Sequence, residues 1–270
     1  MERVIAPSVE QVLSKDEQRV VARVLAEEEA RREHIVVYLS GAHAYGFPSP
    51  DSDLDLKAIH VASTADLLGL EVPVPTVDRA EIVEGVEIDY TSNELAHALS
   101  GILGGNGNFI ERVLGRMCAS ASPLLAELQA LTQRSLSRRV HRHYRGFAAN
   151  QLRFLEKEPT AKKLLYVLRT TLTGIHLLET AELEADLTRV MGRYGMSDAA
   201  QLVERKRAGE RVALEPGFLA MWRPRIDELF VRLDSAQENS PLPEQPPNEP
   251  EVRKWLLTVR RSRFGPPPPT

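Results

Sequence analysis

Apolar residues recur along this chain in two rhythms, and the change from one to the other divides it. Ile35 to Leu39 is a β-branched-rich run that predicts a strand, and Leu54 to Val61 predicts a second. Glu81 to Val83, Gly85 and then Val86 to Thr91 read as a further strand or hairpin. A helix comes before them. Ser14 is a capping residue ahead of Asp16 and Glu17, and Val20, Val21, Val24 and Leu25 recur at helical spacing up to Arg32. Pro73 and Pro75 interrupt the pattern and predict a loop. Ser92 reads as the cap of the next helix, with Glu94, Leu95 and Leu99 behind it.

From about Ser122 the period is helical. Leu124, Leu125, Leu128 and Leu131 share one face, as do Tyr144, Phe147, Leu152 and Leu155, until Pro159 stops the run. Residues Ala161 to Glu179 carry Leu164, Leu165, Leu168, Leu172, Ile175 and Leu178 on one side. More helices are predicted over Leu183–Tyr194, Asp198–Arg207 and Pro216–Leu233. Ser240 to Pro250 holds five prolines and reads as a solvated extended linker, ahead of a short amphipathic helix with Trp255, Leu256 and Val259. The tail Gly265 to Pro269 is expected to be disordered or polyproline II. The pattern predicts a front half of mixed α and β and an all-helical rear half.

Composition narrows the class. The chain has 270 residues, 43% of them hydrophobic and 27% charged, ordinary for a globular protein. No apolar run approaches the roughly 20 residues needed to span a bilayer. Met1-Glu2-Arg3-Val4 lacks a secretory pattern, and the single Cys118 excludes an intramolecular disulfide, so a cytoplasmic setting is expected. A net charge of −4 argues against a protein that coats nucleic acid through bulk charge. Basic residues nevertheless gather at Arg138-Arg139, His141 to His143, Arg145 and Lys162-Lys163, against acidic Glu27 to Glu29. Two readings stand: a basic half facing an acidic half across a polyanionic substrate, or two solvated helix faces.

The chemistry concentrates between the first two strands, in Ser40-Gly41-Ala42-His43-Ala44-Tyr45-Gly46 followed by Pro50-Asp51-Ser52-Asp53-Leu54-Asp55. Asp53 and Asp55 are two positions apart in an extended segment, so both carboxylates point to one face. Such a pair repels itself unless a cation lies between, which predicts a divalent-metal site. The glycine turn beside it suits phosphate. Asp51 reads as a turn or cap residue, with metal ligation as the alternative. Lys162, Tyr166 and Arg169 form one helical stripe whose cations are able to grip phosphates or an acceptor backbone, or else form a solvated basic stripe.

This strand–turn–strand resembles the nucleotidyltransferase signature of the DNA polymerase β superfamily. The fuller string, Gly41-x-x-Ala44-Tyr45-Gly46 and then Pro50-Asp51-Ser52-Asp53-x-Asp55, is similar to the bacterial branch associated with RNA-repair pathways. Ile88 to Thr91, Gly104 to Glu111 and Lys162 to Arg169 continue the likeness, with weaker echoes to Trp255. The resemblance implies an α+β fold. Residues 1–120 would form a small mixed-sheet nucleotidyltransferase domain with flanking helices. Residues 121–239 would form an all-α domain, and 240–270 a proline-rich linker, short helix and tail.

It further implies a two-metal mechanism with Mg2+, or Mn2+, on Asp53, Asp55 and Asp89, the last two residues beyond its rival Glu87. Ser40, Gly41, Ala42, His43 and Gly46 would hold nucleotide, with Lys162, Tyr166 and Arg169 framing the cleft. Ala42 stands where the superfamily has serine, with Ser40 as the substitute donor. His43 stands where arginine is frequent, either holding phosphate when protonated or lying as an exposed turn residue. Tyr45 is expected to pack behind the turn, and Asn106 to Glu111 to form a loop by the cleft or a structural cap. The implied partners are a nucleoside triphosphate and a hydroxyl acceptor: an RNA end first, a protein side chain second, a small molecule third. The alternative is a catalytically silent nucleotide- or RNA-binding module of the same fold.

Overall fold

The capping pattern at Ser14 forms as read. Its hydroxyl accepts from the Glu17 N–H at 3.3 Å, and the Glu17 carboxylate accepts from the Ser14 N–H at 2.7 Å. The computed structural model describes residues 5–207, 209 and 213–264, so the tail expectation at Gly265 to Pro269 lies outside the described residues. Helices α1 (Pro7–Glu10) and α2 (Lys15–Glu29) precede β1 (Glu33–Leu39), the single turn α3 (Gly41–Ala44), β2 (Leu54–Val61) and α4 (Thr64–Leu67). A hairpin follows, β3 (Thr76–Val83) and β4 (Val86–Glu94), then α5 (Leu95–Leu103), α6 (Gly107–Leu114) and β5 (Cys118–Ala121). The rest is helical: α7 (Leu124–Ser135), α8 (Val140–Lys157), α9 (Ala161–Thr180), α10 (Leu187–Val190), α11 (Ala200–Arg207), α12 (Pro216–Glu238) and α13 (Glu249–Ser262).

The five strands make one mixed sheet in the order β3-β4-β2-β1-β5. β1 is antiparallel to β2 and β5, β4 is parallel to β2, and β3 is antiparallel to β4. Alternation along the strands divides two cores. Val37, Leu39, Leu54, Leu56, Ala58, Ile88 and Tyr90 face Val20, Val21, Val24 and Leu25 of α2. Ile35, Val36, Tyr38, Ile59 and Val61 face the other way, into a larger core with α5 to α9 and α12. Fully buried valines and leucines of this kind contribute about 1.5–3 kcal/mol each. At the centre of that core, α9 buries residues on every side, which is how an apolar helix behaves inside other helices. Among the described residues, no helix is long and apolar enough to cross a membrane.

Three local readings are corrected. Ser92 is inside β4, its hydroxyl 2.8 Å from His60 Nδ1, and Glu94 caps α5 by accepting from the Ala96 N–H. Pairing with β2 as far as His60 opposite Glu94 carries the strand past the serine. The proline-rich stretch is anchored rather than solvated, with Ser240, Leu242 and Asn248 buried. Prolines present an extended backbone of carbonyls, and Arg138 donates to those of Leu242 and Ser240 at 3.0 and 2.7 Å. The helix expected over Leu183–Tyr194 shrinks to α10, which starts where Asp186 accepts from the Thr188 N–H.

Candidate active site

With Leu54, Leu56 and Ala58 buried under α2, alternation turns Asp55 and Lys57 to the opposite face of β2, and Asp53 precedes them in the same phase. The parallel register sets Asp89 of β4 beside Asp55, and Thr91 beside Lys57. Lys57 Nζ lies 3.5 Å from Asp55 Oδ1 and 2.9 Å from Asp89 Oδ2. It also donates to the Asp89 carbonyl at 3.3 Å and to Thr91 Oγ1 at 3.4 Å. The ammonium therefore supplies the positive charge that two adjoining carboxylates require. Sequence reasoning missed it, although its spacing of two from Asp55 carried the signal. Burial pushes the Asp55 carboxyl above its ordinary range, Lys57 opposes that, and Asp53 and Asp89 add to it.

The glycine turn is built against the same carboxylate. Gly41 has φ +65°, and a Cβ there would come within 2.0 Å of Asp55 Oδ2. The Ser40 N–H donates to the Asp55 carbonyl at 2.7 Å. The next two turn residues are buried. The Ala42 side chain is buried in the larger core. His43 is 5% exposed with Nε2 3.5 Å from Glu17, so it is no exposed turn residue. Burial lowers its pKa, with Lys206 adding to that effect and Glu17 opposing it. Gly46 makes room for Asp186, whose Oδ1 a Cβ would approach to 2.1 Å.

Two cavities of similar size sort the remaining candidates. One, of about 670 Å³, is lined by Asp51, Asp53 and Glu87 on the strand side and by Lys162 and Tyr166 on α9. His43 and Gly46 line the other, of about 690 Å³, with Arg116 and Arg189. Arg169 reaches neither. It is 3% exposed, ion-paired with Glu111 at 2.8 Å, and its guanidinium lies 3.7 Å from the centre of the Tyr45 ring. The Tyr144 and Tyr45 hydroxyls donate to the same carboxylate at 3.2 and 3.4 Å. Tyr45 thus packs behind the turn as expected, and Tyr166 meets it edge-on at 5.8 Å. Asn106 takes the capping alternative, accepting from the Asn108 N–H at 3.0 Å at the start of α6.

A second missed residue holds the loop that carries Asp51 and Asp53. Lys206 of α11 is fully buried and donates to Ser49 Oγ and Ser52 Oγ, both at 2.6 Å. Ser49 and Ser52 also bond each other, through the Ser52 N–H to the Ser49 carbonyl and between hydroxyls at 3.1 Å. Nothing local in the sequence joins residue 206 to residue 49.

Among the described residues, no three His, Cys, Asp or Glu side chains form a ready-made metal cage. The donor set fits a hard divalent cation all the same. Asp53, Asp55 and Asp89 offer only carboxylate oxygens, Asp55 feels both of the others, and Mg2+ needs few protein ligands because it keeps several waters.

A model of the RNA repair pathway DNA polymerase beta family, RlaP, matches residues 17–258. An uncharacterised protein of Methanocaldococcus jannaschii, MJ0002, is 27% identical over 225 residues, covering 81% of this chain and 90% of that protein. A crystal structure of a nucleotidyltransferase-like protein from Exiguobacterium sibiricum aligns over 92% of this chain and 81% of that one, at 14% identity and a TM-score of 0.33. With the match spanning sheet, turn and helices alike, the chain belongs to the RNA repair pathway DNA polymerase beta family.

Proposed function

We propose that the protein transfers a nucleoside monophosphate from a nucleoside triphosphate to a hydroxyl acceptor and releases pyrophosphate. One observation carries this reading: Asp55 and Asp89 stand side by side across β2 and β4, balanced by the Lys57 ammonium, with Asp55 packed against a glycine turn. The acceptor oxygen forms a bond to the α-phosphorus as the bond to the bridging oxygen breaks, and the β- and γ-phosphates depart together. Asp89, half exposed beside Asp55, takes the acceptor's proton. Asp53, Asp55 and Asp89 would hold Mg2+ or Mn2+, which supplies positive charge to the oxygens where negative charge accumulates. Lys162, in the same cavity as Asp53, steadies the leaving phosphates.

An RNA end is the first acceptor, in keeping with the family's RNA-repair description. A protein side chain is the second. The silent-module reading gains from Lys57, because an internal cation lets the acids coexist without any metal. The two separate in one assay: purified protein, Mg2+ and each labelled triphosphate, with RNA ends and protein as acceptors. Label transfer with pyrophosphate release is expected, lowered by on the order of 10²–10³ in Asp55→Asn. Nucleotide binding without turnover on any acceptor would favour the silent module.

A further inference from the structure

The cavity that holds Asp53 and Lys162 has a third wall that the reaction does not use. Gln151 and Phe154 are three residues apart on α8, one face of the helix, and both line it. Two phenylalanines are exposed among the described residues, Phe154 and Phe264, and Phe154 lines this cavity. The Phe154 side chain is 44% exposed and makes no ring contact among the described residues. The Gln151 amide, which offers a donor and an acceptor, makes no hydrogen bond among the described residues. At about 670 Å³ the cavity is of a size that takes small-molecule ligands.

Resting on the nucleotidyl-transfer reading above, we propose that Phe154 is the stacking platform for the base of the incoming nucleoside triphosphate, and that Gln151 reads that base's edge. With phosphates drawn to Lys162 and to cations that the acid wall would hold, the α8 wall is left for the nucleoside end. Its exposed aromatic face accepts any base, and the amide beside it favours some over others.

The test is calorimetry on the full chain with Ca2+, titrating ATP, GTP, CTP, UTP and inorganic tripolyphosphate. In Phe154→Ala, all four nucleotides are expected to weaken about tenfold, which is about 1.4 kcal/mol. Tripolyphosphate affinity and melting temperature should stay put, Phe154→Trp should retain nucleotide binding, and Gln151→Ala should reorder the preference among bases. Equal weakening of tripolyphosphate would mean a structural role and overturn the platform. Unchanged nucleotide affinity would overturn it too. An unchanged base order in Gln151→Ala would remove that residue's part. A wild-type protein that binds neither nucleotide nor tripolyphosphate would instead sink the underlying reading.

Discussion

Two carboxylate–cation clusters lie on either side of the glycine turn, and they are built for opposite purposes. Behind the turn, Glu111 and Arg169 are each 3% exposed, with Tyr45 and Tyr144 completing the carboxylate's partners. In front of it, Lys57, Asp55 and Asp89 are 17%, 24% and 50% exposed. In the buried cluster the carboxylate takes three donors and is closed off from solvent. The open cluster has two acids for one cation, of which only Asp89 is half in solvent, with Asp53 adding its charge nearby. The same chemical groups thus make an enclosed support in one place and a part-exposed, cation-poor centre in the other. Burial and stoichiometry, not residue type, decide which.

The largest effect should come from breaking the support. Arg169→Met leaves the Glu111 carboxylate buried and without its cation, and removing one partner of such a pair costs about 3–5 kcal/mol. Urea unfolding would read this, and a loss below about 1 kcal/mol with a selective loss of triphosphate affinity would return Arg169 to the phosphates. The open cluster should respond less and differently. Lys57→Met restores the repulsion between Asp55 and Asp89, so the metal-free protein should lose about 1 kcal/mol, an effect of the size usual for part-exposed pairs. Millimolar Mg2+ should then raise the melting temperature of the variant more than that of the wild type. Equal Mg2+ shifts in both would make Lys57 irrelevant to cation binding.

Local pattern reached much of this. β1 and β2 were legible from their β-branched runs, α2 from the capping residue at its start, and the phase of Asp55 from the period of a strand. The same period should have brought in Lys57. The failures are nonlocal. Ser92 looks like a cap, yet pairing with β2 extends the strand through it. The prolines after Ser240 look solvated until Arg138, about a hundred positions earlier, takes their neighbours' carbonyls. Lys162 and Arg169 share one helical stripe, so spacing treats them alike. Arg169 lies two turns further along α9, where Glu111 and Tyr45 enclose it, while Lys162 reaches the cavity. No local rule pairs residue 111 with residue 169, or residue 49 with residue 206.

Direct observation of cation binding tests the central claim, that the carboxylates of β2 and β4 form a divalent-ion centre beside the Gly41 turn. Mn2+ titrated into the full chain and followed by electron paramagnetic resonance should be taken up by the wild type. Asp55→Asn, folded to the same melting temperature, should lose that uptake. Equal Mn2+ binding by the two proteins would contradict the account.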